Sequence, residues 1–234
     1  MAELSVTLAL VNFLPIAFSA VAFVFIAGLV RQSAPDWQWL AWVGGGLVVL
    51  GALAKASWKL IVATTGADIT WLASALFPLL APGFALAAGA ALAVLRARKS
   101  GTKKGIDPGW LALTVILIAF GAAGLRTWLL EIPRGWFLPL MTLTTIGNLA
   151  LSLILIRLAA RCRSRLAIAL LIANLATVFA LPPIAMIEPK GIAIHWLEQT
   201  LTASGTAAFA LAAYLLLRLA RNGCASSLRG SEVS

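Results

Sequence analysis

Gly191-Ile-Ala-Ile-His195-Trp196-Leu-Glu198-Gln199 opens an apolar stretch that ends in Phe209-Ala-Leu-Ala-Ala213. It is a degenerate second copy of residues 66–88. Laid side by side without gaps, the two match at Gly66/Gly191, Ile69/Ile194, Trp71/Trp196, Leu72/Leu197, Leu76/Leu201 and through the whole Phe-Ala-Leu-Ala-Ala block. Alanine and leucine matches carry little weight in so apolar a chain; glycine, tryptophan and phenylalanine in one register carry more. A shorter pair agrees. Phe13-Leu14-Pro15 and Phe137-Leu138-Pro139 stand 124 residues apart, almost the 125 that separate the longer copies.

Of the 234 residues, 62% are hydrophobic and 11% charged, and the mean hydropathy is +0.99. Soluble domains are about half apolar and about a quarter charged, so a soluble globule is excluded. About 20 apolar residues suffice for a helix to cross a bilayer. Seven runs qualify: residues 8–30, 39–63, 69–95, 110–130, 136–156, 166–187 and 192–217. The expectation for 1–234 is one all-α integral membrane domain of seven transmembrane helices, without a separate soluble module. Gly44-Gly45-Gly46 falls inside a span, where small residues let helices approach closely.

The net charge of +10 would suggest nucleic acid in a soluble protein, but its placement points elsewhere. Thirteen of the 18 lysines and arginines fall at Arg31, 96–104, 157–165 and 218–229, after the first, third, fifth and seventh runs. Basic residues in short loops mark the cytoplasmic side. The N-terminus is therefore expected outside and the C-terminus in the cytoplasm, in a bacterial-type plasma membrane. The expected partners are anionic lipid headgroups at the basic loops and a small-molecule ligand. No nucleic acid is expected, and a homo-oligomer is left open. Residues 1–7 lack the cationic start of a cleavable signal peptide, so the first run should remain a helix. Cys162 and Cys224 both fall on the predicted cytoplasmic side, where free thiols are expected. Of nine tryptophans, Trp37, Trp39 and Trp110 sit at inner ends of runs. Trp58, Trp71, Trp128, Trp136 and Trp196 sit at outer ends, and together they read as interfacial anchors.

The duplication makes residues 8–95 and 136–217 two parallel three-helix repeats, with 110–130 as the linker helix and 222–234 as a polar tail expected to be disordered. Inserting one helix between two odd-numbered units keeps both in the same orientation, the kind of repeat related by an axis along the membrane normal. This 3+1+3 plan resembles the SWEET sugar transporters, the PQ-loop transporters and the KDEL receptor, and the microbial rhodopsins share the seven-helix topology. Pro15 and Pro139 occupy the first helix of each half, as the proline of the PQ-loop family does, but are followed by Ile16 and Leu140 rather than glutamine. The retinal-binding lysine of the rhodopsins has no counterpart, because no lysine follows Lys190.

Ionisable groups inside spans usually face the bundle or a water-filled cavity. Lys55 and Lys59 share one helical face at i,i+4 spacing. Arg126 lies a turn from the outer end of the fourth span. Glu198 lies a turn below the outer surface of the seventh, with His195 a turn above it. Thr142, Thr144, Thr145, Thr177, Gln199 and Thr202 fall at the same level, and Asn148 and Asn174 nearer the middle. Pro182-Pro183 is expected to break the outer end of the sixth span. The candidate binding residues are Glu198, Lys55, His195, Arg126, Asn148, Asn174, Gln199 and Thr145, around a polar cavity open to the outside and floored by the two asparagines. Lys59 is expected to snorkel to the surface.

Two readings of Glu198 stay open. It binds a proton or a cationic substrate with Lys55 or Arg126 as counter-charge, or it pairs with Lys55 to hold two helices together. In the other repeat Ala73 stands for Glu198 and Thr70 for His195, so only one half carries the acid. No metal, catalytic residue or cofactor is expected, and a single histidine excludes a bis-histidine haem. A small-molecule carrier or binding protein fits best. The alternatives are an intramembrane lipid-modifying enzyme resembling the lysoplasmalogenases, for which one histidine and no paired acids on one face suit general acid–base chemistry poorly, and a sensor or assembly partner.

Overall fold

A computed structural model describes residues 6–97, 107–185 and 192–224. Every element in them is helical: α1 (Val6–Val11), α2 (Phe13–Ser33), α3 (Gln38–Thr65), α4 (Thr70–Ser74), α5 (Leu76–Ala97), α6 (Pro108–Gly124), α7 (Phe137–Arg161), α8 (Arg165–Ala185) and α9 (Ile192–Arg221). A 3₁₀ turn, Pro35–Trp37, precedes α3, and a π-helical turn, Leu125–Leu129, continues α6. Six stretches are long and apolar enough to cross a membrane: Ala9–Ser33, Pro35–Thr65, Thr70–Ala97, Pro108–Leu129, Phe137–Arg161 and Ala193–Arg221. The expected sixth span is α8, in which Arg165–Leu181 is a shorter apolar helix. The fold is compatible with a multi-pass helical membrane protein.

Local chemistry sets several boundaries. Gly66 closes α3 at φ 71°, a left-handed conformation that glycine adopts without a Cβ penalty. Asp107 caps α6, its Oδ1 accepting from the amides of Gly109 (2.8 Å) and Trp110 (3.1 Å), and Pro108 fills the first helical position, where no N–H is needed. Phe13-Leu14-Pro15 and Phe137-Leu138-Pro139 each open a helix, α2 and α7, with phenylalanine first and proline third.

The helices close a ring: α2 packs on α3, α3 on α5, α5 on α7, α7 on α8, α8 on α9 and α9 back on α2. Helix α6 lies outside it against α5 and α7, with Leu117 70% and Ile118 66% exposed, as suits a face toward lipid. Backbones approach closely between α3 and α5. A Cβ on Gly44 would stand 2.7 Å from the Gly83 carbonyl oxygen and 2.8 Å from the Ala87 amide nitrogen. Small residues at such crossings let backbones touch, which is how helices associate in lipid.

Burial is uneven along the bundle axis. The main core, including Ile26, Val30, Leu40, Val94, Leu155, Leu158 and Leu216, lies toward the end that carries Arg31, Arg96, Arg161 and Arg218. Toward the other end, no residue of α3 beyond Ala56 is buried, and on α9 only Gln199 is buried between Ala193 and Ser204. The bundle is packed tightly at its basic end; at the opposite end it is loose along α3 and α9, while α5, α6 and α7 keep a second core of Ala81, Ala85, Ala123, Leu140 and Leu143.

Three expectations are corrected. Cys162 and Cys224 are joined in a disulfide with Cα atoms 5.8 Å apart, not free. Cys162 ends α7 and Cys224 follows the last turn of α9, and the two helix ends meet at the basic end of the bundle. That proximity is invisible across 62 residues of sequence. Second, α8 runs through Pro182 and Pro183 to Ala185. The prolines remove donors to the carbonyls of Val178 and Phe179 without ending the helix there. Third, Asn222–Cys224 forms a turn held by the disulfide. The remainder of the expected tail, 225–234, the loop 98–106 and residues 186–191 lie outside the described residues.

Gly44 and Gly46 separate packing from propensity. Gly44→Ala should lower the unfolding free energy in detergent by about 1–3 kcal/mol through overpacking. Gly46 has nothing within 4 Å of an added Cβ, so Gly46→Ala should be neutral or stabilise by about 0.5–1 kcal/mol. Thermal denaturation of both variants measures the contrast.

Candidate functional site

The loosely packed end encloses a cavity of about 630 Å³ bounded by the start of α2, the second half of α3, the start of α5, the end of α8 and the start of α9. Most of its wall is apolar, including Pro15, Ile16, Phe77, Leu80, Val178 and Leu181. Six polar side chains interrupt it: Asn12, Lys55, Lys59, Glu198, Gln199 and Thr202. A few polar groups in a mostly apolar concavity is the usual make-up of a small-molecule site.

Asn12 holds the polar residues together. It stands between α1 and α2, and its Oδ1 accepts from Gln199 Nε2 at 2.7 Å and from Lys59 Nζ at 3.2 Å. One amide therefore links the first, second and seventh spans. Lys59, expected to reach the surface, is half-buried and lines the cavity. Gln199 is 8% exposed, so its amide relies on this bond.

Glu198 and His195 sit one turn apart on α9, with Oε2 3.7 Å from Nδ1. Among the described residues neither Lys55 nor Arg126 forms an ion pair with Glu198. The Glu198–Lys55 tie considered from sequence is therefore absent. Lys55 lines the cavity and makes no hydrogen bond or ion pair among the described residues. Thr202 turns its hydroxyl back to the Glu198 carbonyl at 2.7 Å.

The structure thus brings Glu198, Lys55 and Gln199 to one cavity, with His195 beside Glu198. The other candidates do not line it. Arg126 lies in the π-helical turn and donates through Nε to the Gly135 carbonyl at 3.3 Å, so it tethers the turn after α6. Thr145 is exposed on α7 and donates to its own helix at Met141 O (3.0 Å). Asn174 is buried in α8, where its carbonyl accepts from Thr177, and Asn148 is half-buried in α7. Neither asparagine lines the cavity, so the expected asparagine floor is not formed.

Asn12 is the residue that sequence reasoning missed. The signal was present: an amide interrupts an apolar run immediately before Phe13-Leu14-Pro15, and its counterpart in the second copy is Trp136.

Apolar spans around a cavity with inward-facing charges are compatible with a multi-pass helical membrane protein that carries a candidate small-molecule site. No protein-family model, no curated protein and no solved structure matches the chain.

Asn12→Leu removes the shared acceptor and leaves the buried Gln199 amide without this bond, which costs about 1–3 kcal/mol. Asn12→Asp keeps the acceptor opposite Lys59 and should lose less. Thermal denaturation in one detergent ranks wild type, Asn12→Asp and Asn12→Leu in that order of stability.

Proposed function

We propose that the protein is a plasma-membrane carrier, or a binding protein of the same build, for a small molecule bearing a carboxylate or phosphate. The observation that carries this reading is Lys55, a cation in a span that lines the cavity without a partner among the described residues. Ionisable groups at such depth mark substrate or ion pathways by default. Lys55 offers the cavity an ammonium group that no described carboxylate neutralises, and an anionic or zwitterionic ligand complements it better than the cationic one considered from sequence.

The carrier reading includes the parallel 3+1+3 repeat. Exchanging the first span with the fifth, the second with the sixth and the third with the seventh turns the α5–α7 contact into the α9–α2 contact, and both are extensive. Individual residues follow the same exchange. Gly147 backs onto Phe84, with an added Cβ 3.0 Å from the phenylalanine Cβ; in the other half the equivalent positions are Phe23 and Phe209, whose rings stand 6.3 Å apart. The cavity takes its walls from both halves, where repeat-built carriers bind their substrates. The basic ends of the helices support an orientation with the N-terminus outside and the cavity opening away from the cytoplasm. The lipid-modifying alternative finds a single carboxylate among the described residues of the cavity wall, where acid–base chemistry would want a pair.

A thermal-shift screen of anionic, zwitterionic and cationic metabolites on wild type, Lys55→Gln and Glu198→Gln tests the reading. Anionic or zwitterionic ligands should stabilise wild type, and Lys55→Gln should weaken them at least tenfold, about 1.4 kcal/mol. Stabilisation by cations alone, or a ligand profile unaltered by Lys55→Gln, contradicts it.

A further inference from the structure

A second concavity lies at the opposite, basic end. It is a groove of about 360 Å³ between α2 and α9, closed on one side by the start of α3. Arg31, Arg218 and Arg221 line it, and no acidic residue does among the described residues. All three arginines are exposed, and none makes a side-chain hydrogen bond or ion pair among the described residues. Three guanidinium groups around one groove repel one another unless an anion sits between them, and their planar forks match phosphate oxygens.

The rest of the groove is built differently. Two turns deeper than Arg31 on the same face of α2 is Val24, and Phe25 stacks near Tyr214 with ring centroids 5.4 Å apart. Gly28 lets Leu217 close the bottom, an added Cβ there standing 3.2 Å from the leucine. Trp42, half exposed on α3, borders the groove with Gln38 one turn nearer the basic end. Cations stand at the helix ends, an aromatic and amide collar lies at the level of the membrane boundary, and apolar side chains continue toward the hydrocarbon. A soluble phosphate would use only the first of these layers.

We propose that this groove binds one anionic phospholipid, its phosphate held by Arg31, Arg218 and Arg221 and the upper part of an acyl chain lying along Val24, Phe25 and Leu217. The site is separate from the carrier cavity and stands whether or not that cavity transports a solute. A bound lipid would bridge α2 and α9, the contact that closes the ring between the first and last spans.

The test uses the full chain in phosphatidylcholine nanodiscs containing a minority of phosphatidylglycerol, with retained lipid counted by native mass spectrometry. Wild type should keep one phosphatidylglycerol, and each arginine removed should weaken retention about fivefold, the effect of one cation near the surface. The combined Arg31→Gln/Arg218→Gln/Arg221→Gln variant should lose it altogether. Arg221→Gln alone, an exposed change at the end of α9, serves if the combined variant fails to fold, and Arg134→Gln at the other end of the bundle should change nothing. Glycerol phosphate, which lacks acyl chains, should not displace the lipid. Retention unchanged in Arg221→Gln and the combined variant, equal retention of phosphatidylcholine, or displacement by glycerol phosphate overturns the proposal.

Discussion

The Oδ1 atom of Asn12 accepts hydrogen bonds from Lys59 and Gln199, and this shared acceptor joins three helices at the polar end of the bundle. Inside a bilayer a polar group has no water to fall back on, so it must find a partner within the protein or line a wet cavity. Asn12 solves this for two donors on different helices at once. The apolar packing that would otherwise join α2, α3 and α9 at this level has given way to a cavity, and the amide holds the three helices where side-chain packing does not.

The opposite end obeys a different rule. There alanine, glycine and leucine fill the space between helices, the backbones of α3 and α5 meet at Gly44 and Gly83, and a disulfide joins the ends of α7 and α9. A firm base and a loosened mouth suit a protein whose ligand enters from one end while the other keeps its shape. The disulfide and the arginines meet at the same end but favour opposite compartments. Disulfides persist in oxidising surroundings, whereas short arginine-bearing loops mark the cytoplasmic face. Four separate basic segments support the second rule and one bond the first, so the charge distribution sets the proposed orientation.

Helices and their approximate limits were legible because hydrophobic run length is a direct consequence of bilayer thickness. Close contact at the glycine run was legible for an equally simple reason: Gly44 has no side chain to keep α5 away. What sequence could not supply was distance. Glu198 and Lys55 were each recognisable as costly residues, yet only the fold separates them as an ion pair while leaving both on one cavity. Asn148 and Asn174 had the right depth but stand away from the cavity. Depth along a helix is readable from sequence; the direction a side chain faces in a ring of helices depends on packing partners far away in the chain. The bond between Cys162 and Cys224 was missed because compartment chemistry was weighed without knowing that the two helix ends meet.

The central claim is a ligand cavity that opens on the face opposite the basic loops. Thr202 lines it on α9, so a single cysteine placed there, with Cys162 and Cys224 replaced by serine, reports its access directly. The account predicts that a membrane-impermeant maleimide added outside intact cells modifies Thr202→Cys, and that an anionic ligand slows the reaction. A cysteine that reacts only from the cytoplasmic face of inverted vesicles, or only after denaturation, would contradict it.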